Sequence, residues 1–122
     1  MLEDFYSIVN QTIAENSVIV RVRFNIHHPI FQGHFPAMPV VPGACLMEMA
    51  CKLSSKVLEK KLYLSAAQNV KFVQVIHPDL VDTVSFDILW SEVEGGYAIK
   101  CHVHNEGTTY AMMKITLCEL VC

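Results

Sequence analysis

The chain has 122 residues, room for one domain with one core over 1–122. Hydrophobic residues make up 52% of it and mean hydropathy is +0.35, yet the longest apolar stretch, 35–51, is broken by Pro36, Pro39 and Pro42. That excludes a membrane span as one helix, and a formal charge of −3 argues against nucleic acid as the main partner.

The excess apolar surface is expected at a subunit interface, as in a dimer. The opening residues carry Glu3 and Asp4 at once and show no charged-then-apolar signal pattern. Five cysteines, Cys45, Cys51, Cys101, Cys118 and Cys122, form an odd set without a CxxC pair. Ordinary buried thiols in a reducing cytoplasm are expected, rather than a disulfide framework or a thiolate zinc site.

In chain order, Tyr6 to Ile13 reads as a strand that turns near Glu15-Asn16 into Ser17 to Ile26. There Val18, Val20, Val22, Phe24 and Ile26 alternate with Ile19, Arg21, Arg23 and Asn25. From Pro42, placed at the first helical position, a helix is predicted to about Lys60. Ala44, Cys45, Leu46, Met47, Met49, Ala50 and Cys51 are apolar or small all the way round, so this part should be buried on most sides. Strands are then predicted over Leu64 to Ile76, Thr83 to Val93, Tyr97 to His104 and Thr109 to Val121. Glu94-Gly95-Gly96 and Asn105-Glu106-Gly107 supply the turns. The sum is an α+β domain in which an antiparallel sheet wraps a single helix.

Three groups could carry chemistry, and each has a plainer reading. Glu48 is the sole charge between Phe35 and Cys51. A buried carboxyl group must pair or stay protonated, and a protonated one is a good general acid; otherwise Glu48 marks where the helix meets water or a salt bridge. His34, in Phe31-Gln32-Gly33-His34-Phe35-Pro36, sits between a glycine and an aromatic-proline pair. It is either a base or a loop histidine bonded to the backbone. Gly43 at the helix start offers an N–H without an intrahelical acceptor, fit for an oxyanion, or is a glycine needed for close packing. Together the three suit proton abstraction beside a thioester carbonyl and loss of a hydroxyl, with no metal or cofactor required.

The run Phe31-Gln32-Gly33-His34-Phe35-Pro36-Ala37-Met38-Pro39-Val40-Val41-Pro42-Gly43-Ala44-Cys45-Leu46-Met47-Glu48 resembles the 3-hydroxyacyl-acyl carrier protein dehydratases, the FabZ/FabA-like family. Their pattern runs roughly F-x-G-H-F-P-G-x-P-V-x-P-G-V-L-x-x-E. Asn69-Val70-Lys71-Phe72 and His77-Pro78-Asp79 are similar to later family segments. The resemblance implies a hot-dog fold, with an antiparallel sheet wrapped round one long central helix. It also implies a homodimer with active sites at the interface, His34 of one subunit facing Glu48 of the other, with room for a higher oligomer. Its substrate would be a 3-hydroxyacyl chain on the phosphopantetheine of an acyl carrier protein, dehydrated to the trans-2-enoyl thioester in fatty-acid or related lipid or polyene biosynthesis. Ala37 and Lys52 stand where the family usually has glycine and glutamine, and the usual His-Arg-Tyr-Pro-type leader segment is not matched. Glu-less relatives associated with aryl-polyene-type pathways are not matched either, because Glu48 is present. The other readings are a thioesterase on the same fold and a non-catalytic acyl-thioester or carrier-binding module.

Some residues stay outside that scheme. His102 and His104 share one strand face, but no carboxylate or thiolate is placed with them, so two exposed histidines are expected rather than a metal site. His27-His28 read as polar turn residues before Pro29. Cys45 reads as a small buried residue. The six methionines are mostly core, although some could line an acyl pocket. Lys52, Lys56 and Lys60 form a basic stripe, suited either to an acidic carrier or to the helix C-terminus.

Overall fold

The structure, a computed structural model, describes residues 3–33 and 38–120. Six strands form one antiparallel sheet: β1 (Tyr6–Ile13), β2 (Ser17–Phe24), β3 (Leu62–Phe72), β4 (Thr83–Val93), β5 (Gly96–Asn105) and β6 (Thr108–Glu119). Their order across the sheet is β1-β2-β4-β5-β6-β3. A five-residue helix, α1 (Pro29–Gly33), and a sixteen-residue helix, α2 (Gly43–Leu58), lie between β2 and β3 in sequence.

Alternation decides which face is buried. Val18, Val20 and Val22 of β2, Val84, Phe86 and Ile88 of β4, Ile99, Cys101 and Val103 of β5, and Met113, Ile115 and Leu117 of β6 all point inward. They join Cys45, Leu46, Met49, Ala50 and Leu53 of α2 in one core cluster. The residues between them, such as Ile19, Leu89 and Met112, stand half exposed on the outer face.

Local chemistry sets the boundaries. β2 stops at Phe24, because the Asn25 N–H turns away to the Phe5 carbonyl at 2.8 Å. Pro42 is the N-cap of α2 rather than its first residue, with ψ of 143° and its carbonyl accepting from Cys45 N–H at 3.0 Å. The helix ends at Glu59 in the left-handed region, where Lys60 N–H reaches the Ser55 carbonyl at 3.1 Å. β3 ends at Phe72, four residues before the expected Ile76, because Val73 and Gln74 N–H both turn to the Tyr110 carbonyl. The two-residue β5–β6 turn holds Glu106 and Gly107 at φ of 47° and 81°, the double positive φ of a type I′ hairpin.

One feature departs from the sequence expectation. The short helix α1 was not expected; buried Phe31 anchors it by stacking on Phe5 at 5.0 Å. As expected, α2 is buried on most sides rather than on all. Ala44 and Lys52 are exposed, and Met47, Glu48 and Ser55 are half-buried, so one stripe at helical spacing remains open.

The inner and outer faces should respond differently to truncation. Met49→Ala should cost about 2–5 kcal/mol, because a fully buried side chain leaves a cavity. Leu89→Ala on the outer face should stay within about 0.5 kcal/mol. Urea unfolding of both variants checks this, and similar losses would contradict the assignment of faces.

Candidate active site

The open stripe of α2 is one wall of a hollow of about 730 Å³, and the start of edge strand β3 is the other. Ala44, Met47, Glu48 and Cys51 face it from the helix, with Leu62, Tyr63 and Leu64 opposite. Glu48 is the one carboxylate among the described residues lining it, while Lys52, Lys60 and Lys61 supply positive charge. The Lys52 Nζ lies 3.6 Å from Glu48 Oε1, one helical turn on. Both side chains are substantially exposed, at 52% and 41%, so this pair contributes little to stability. Of the two readings of Glu48, a single chain thus shows the paired, half-exposed carboxylate.

The charge of Glu48 is felt by its neighbours. Burial first, and then Glu48, raises the pKa of Tyr6 and of Cys45. The same causes push the Cys51 thiol from 9.0 up to about 11, with Lys52 opposing. Cys45 is therefore the small buried residue expected, and no lowered thiol pKa accompanies its place in the first turn. Tyr6, half-buried on β1, feels the Glu48 charge, a relation that no sequence pattern marks because the fold alone sets it.

Gly43 opens α2 beside a second open hollow of about 430 Å³, lined by Val41, Ala44, Leu46 and residues 72–76. A Cβ on Gly43 would lie 2.6 Å from Cζ of Phe72, so the ring of β3 rests against the glycine. Close packing is thus a real constraint here, alongside the N–H that the helix start presents. The approach to this helix is tied down: Val41 N–H donates to the Ile76 carbonyl at 3.0 Å, and the His77 ring donates from Nδ1 to the Pro39 carbonyl at 3.2 Å. His34, the expected base, lies outside the described residues, between Gly33 at the end of α1 and Met38.

The remaining histidines are sorted by their bonds. His28 sits in the expected turn but is buried: it accepts from Ile30 N–H on Nδ1 at 3.1 Å, and donates from Nε2 to the Glu3 carbonyl at 2.9 Å. His102 and His104 are half-buried rather than exposed, and a carboxylate does stand with them, since Asp87 on β4 is the cross-strand partner of His102. Spacing along one strand could not reveal a ligand supplied by its neighbour. The thiols of Cys45, Cys51, Cys101 and Cys118 are free, and no helix among the described residues is long and apolar enough to cross a membrane.

A six-stranded antiparallel sheet packed against one principal helix is a hot-dog-like fold. The chain belongs to the ApeI-like family, described as ApeI dehydratase, whose model matches residues 10–113. The ApeI:P dehydratase heterocomplex from Xenorhabdus doucetiae has the same fold, with a TM-score of 0.75 at 21% identity over 93% of this chain and 97% of that one. A structure of an uncharacterized protein from Erwinia carotovora subsp. atroseptica gives 0.73 at 19% identity over 94% and 97%. Among curated proteins, a 3-hydroxyacyl-[acyl-carrier-protein] dehydratase FabZ of Lactiplantibacillus plantarum is 31% identical over 81 residues, 61% of this chain and 55% of that protein. The chain thus spans about half the length of that curated relative.

The raised thiol pKa has a consequence for stability. A thiol whose folded pKa exceeds its unfolded value stabilises the fold below the unfolded pKa, and that contribution is lost as pH rises through the folded one. For Cys51 the window runs from 9.0 to about 11. Cys51→Ala should therefore lose less of its urea midpoint across that window than the wild type does, and an equal loss would refute the assignment.

Proposed function

We propose that the protein catalyses reversible dehydration of a 3-hydroxyacyl thioester to the trans-2-enoyl thioester, with the acyl chain on the phosphopantetheine of an acyl carrier protein. The observation that carries this reading is the lone Glu48 carboxyl group in the hollow between α2 and β3, in a chain of a dehydratase family. His34 takes the C2 proton, and the carbonyl oxygen gathers charge against Gly43 N–H at the helix start. Glu48, which a partner subunit covering the stripe would take out of water and so favour in its protonated form, gives its proton to the C3 hydroxyl, which leaves as water as the C2–C3 double bond forms. Lys52, Lys60 and Lys61 at the rim suit an acidic carrier.

The working unit in this reading is a homodimer joined through β3. Tyr63, Leu64, Phe72 and Val73 are 39–50% exposed along or just beyond that edge strand, and a partner seated there would cover the open stripe of α2. In that arrangement His34 comes from one subunit and Glu48 from the other. The free thiols fit a reducing cytoplasm. Any part in fatty-acid or related lipid or polyene synthesis follows from the same chemistry.

Purified protein given a crotonyl or longer enoyl thioester should bleach the conjugated enoyl absorbance without releasing thiol. Thiol release would replace the reading with a thioesterase, and silence at several chain lengths with a binding module. His34→Ala and Glu48→Gln should each lower turnover at least about a hundredfold, while near-normal rates in folded variants would overturn their roles. Gly43→Pro removes the N–H at a position where proline suits a helix, and should cost about a hundredfold. Gly43→Ala adds the Cβ but keeps the N–H, and should stay within about tenfold of wild type once the half-exposed Phe72 ring swings aside. Equal losses in both would assign the glycine to packing.

Light scattering checks the assembly independently. A dimer that falls apart on Leu64→Glu supports β3 as the contact, and a monomeric wild type contradicts it.

A further inference from the structure

The outer face of the sheet, opposite α2, carries a cluster that the proposed dehydration does not use. Asp87 of β4 and His102 and His104 of β5 each offer a ligand atom, and all three atoms lie within 4.8 Å of one another. Asp87 pairs across the strands with His102, and His104 follows two residues on along the same face. The two imidazole rings stack, with centroids 4.6 Å apart.

Two details separate this cluster from an ordinary ion pair. Asp87 Oδ1 and His104 Nε2 stand 3.0 Å apart, within ion-pair distance but not aligned for a hydrogen bond, and both atoms are shielded from solvent although their side chains are 40% and 30% exposed. Two buried polar atoms facing each other without a hydrogen bond are costly unless a third body satisfies both. Ligand atoms held 2.0–2.1 Å from a tetrahedral zinc ion lie about 3.3–3.4 Å from each other, so opening this pair by a few tenths of an ångström would seat one. The second detail is His102, whose Nε2 is 2.8 Å from Thr109 Oγ1. With Nε2–H donated to that hydroxyl, Nδ1 keeps its lone pair free, the outer-shell arrangement usual for a ligating histidine. The β5–β6 register shifts between Val103 and His104, and this bulge sets Thr109 opposite His104 and within reach of His102.

The geometry points to a three-ligand site for a divalent transition-metal cation, zinc foremost, formed by Asp87, His102 and His104 on the outer face of the sheet. Two imidazoles and one carboxylate select zinc and its neighbours over magnesium or calcium, which prefer all-oxygen sites. Arg21 of β2 donates from Nη1 to Ser85 Oγ at 3.4 Å, and Lys71, Lys100 and Lys114 line the outer-face hollow that Asp87 and His102 share. A bound ion would clip β4 to β5 and leave a coordination position for water. Thr109 is a positioning residue, fixing the His102 tautomer.

Metal-stripped protein titrated with Co²⁺ tests the site. One equivalent should bind, giving weak visible d–d bands and no intense near-ultraviolet thiolate band, because no cysteine belongs to the set. His104→Ala and Asp87→Asn should each weaken binding by more than about tenfold, and Thr109→Val by about tenfold. In wild-type protein, Zn²⁺ should shift the imidazole resonances of two of the six histidines, while Mg²⁺ shifts none. That measurement needs no variant to fold. Absence of stoichiometric binding, a thiolate band, or binding unchanged in the His104 and Asp87 variants would each overturn the assignment.

Discussion

The packing of α2 into the inner face of the sheet is the contact on which the rest of the molecule depends. The helix has no side-chain cap at its start, and Met49 and Ala50 are wholly buried against residues from four strands. Burying those side chains, rather than local propensity, holds the helix in place. The same contact determines where a carboxyl group can sit. A charge on the buried side of α2 would be left without water or a partner, whereas Glu48 lies on the stripe that the sheet leaves open. The acid is therefore held by a rigid, well-packed element while its carboxyl group stays accessible from the hollow.

The approach to α2 is fixed by the same economy. Pro42 has the extended ψ that its place before the helix requires, and Gly43 has no side chain where the Phe72 ring comes close. Val41 and Pro39 are bound to residues 76 and 77, one by a backbone hydrogen bond and one by the His77 ring, so the approach to the helix is tied to that segment. His28 fastens the end of β2 and the start of α1 to the N-terminal segment. Two histidines therefore serve the frame on either side of the segment containing His34.

Much of this was legible in the sequence, and what was not has a common cause. β2, β4, β5 and β6 bury one face, so their alternation and turn glycines identified them nearly to the residue. Glu48 stood out because it is the only charge in a long apolar run, and its spacing from Lys52 already placed the two one turn apart. β3 was harder to bound, since as an edge strand it is exposed along most of its length and carries little alternation. Its place at the far side of the sheet follows from the crossover of α2, which no local pattern encodes. Likewise the partners of His102 and His104 depend on the β4–β5 register and on a bulge in β6. Features set by one element or by a short turn were readable, and side-chain meetings set by cross-strand register were not.

The sheet also keeps its two faces chemically separate. Phe86 and Ile88 point into the core while Asp87 between them points out, and Cys101 and Val103 flank His102 in the same way. A layer of closely packed apolar side chains therefore lies between the outer cluster and the hollow at Glu48. Polar groups on one side cannot exchange protons or ligands with the other through that layer, because it offers no hydrogen-bonding path. Coupling between the faces is left to the strands themselves, whose displacement would move inward and outward residues together. A constraint joining β4 to β5 on the outside would thus be felt inside as firmness of the wall against which α2 is packed.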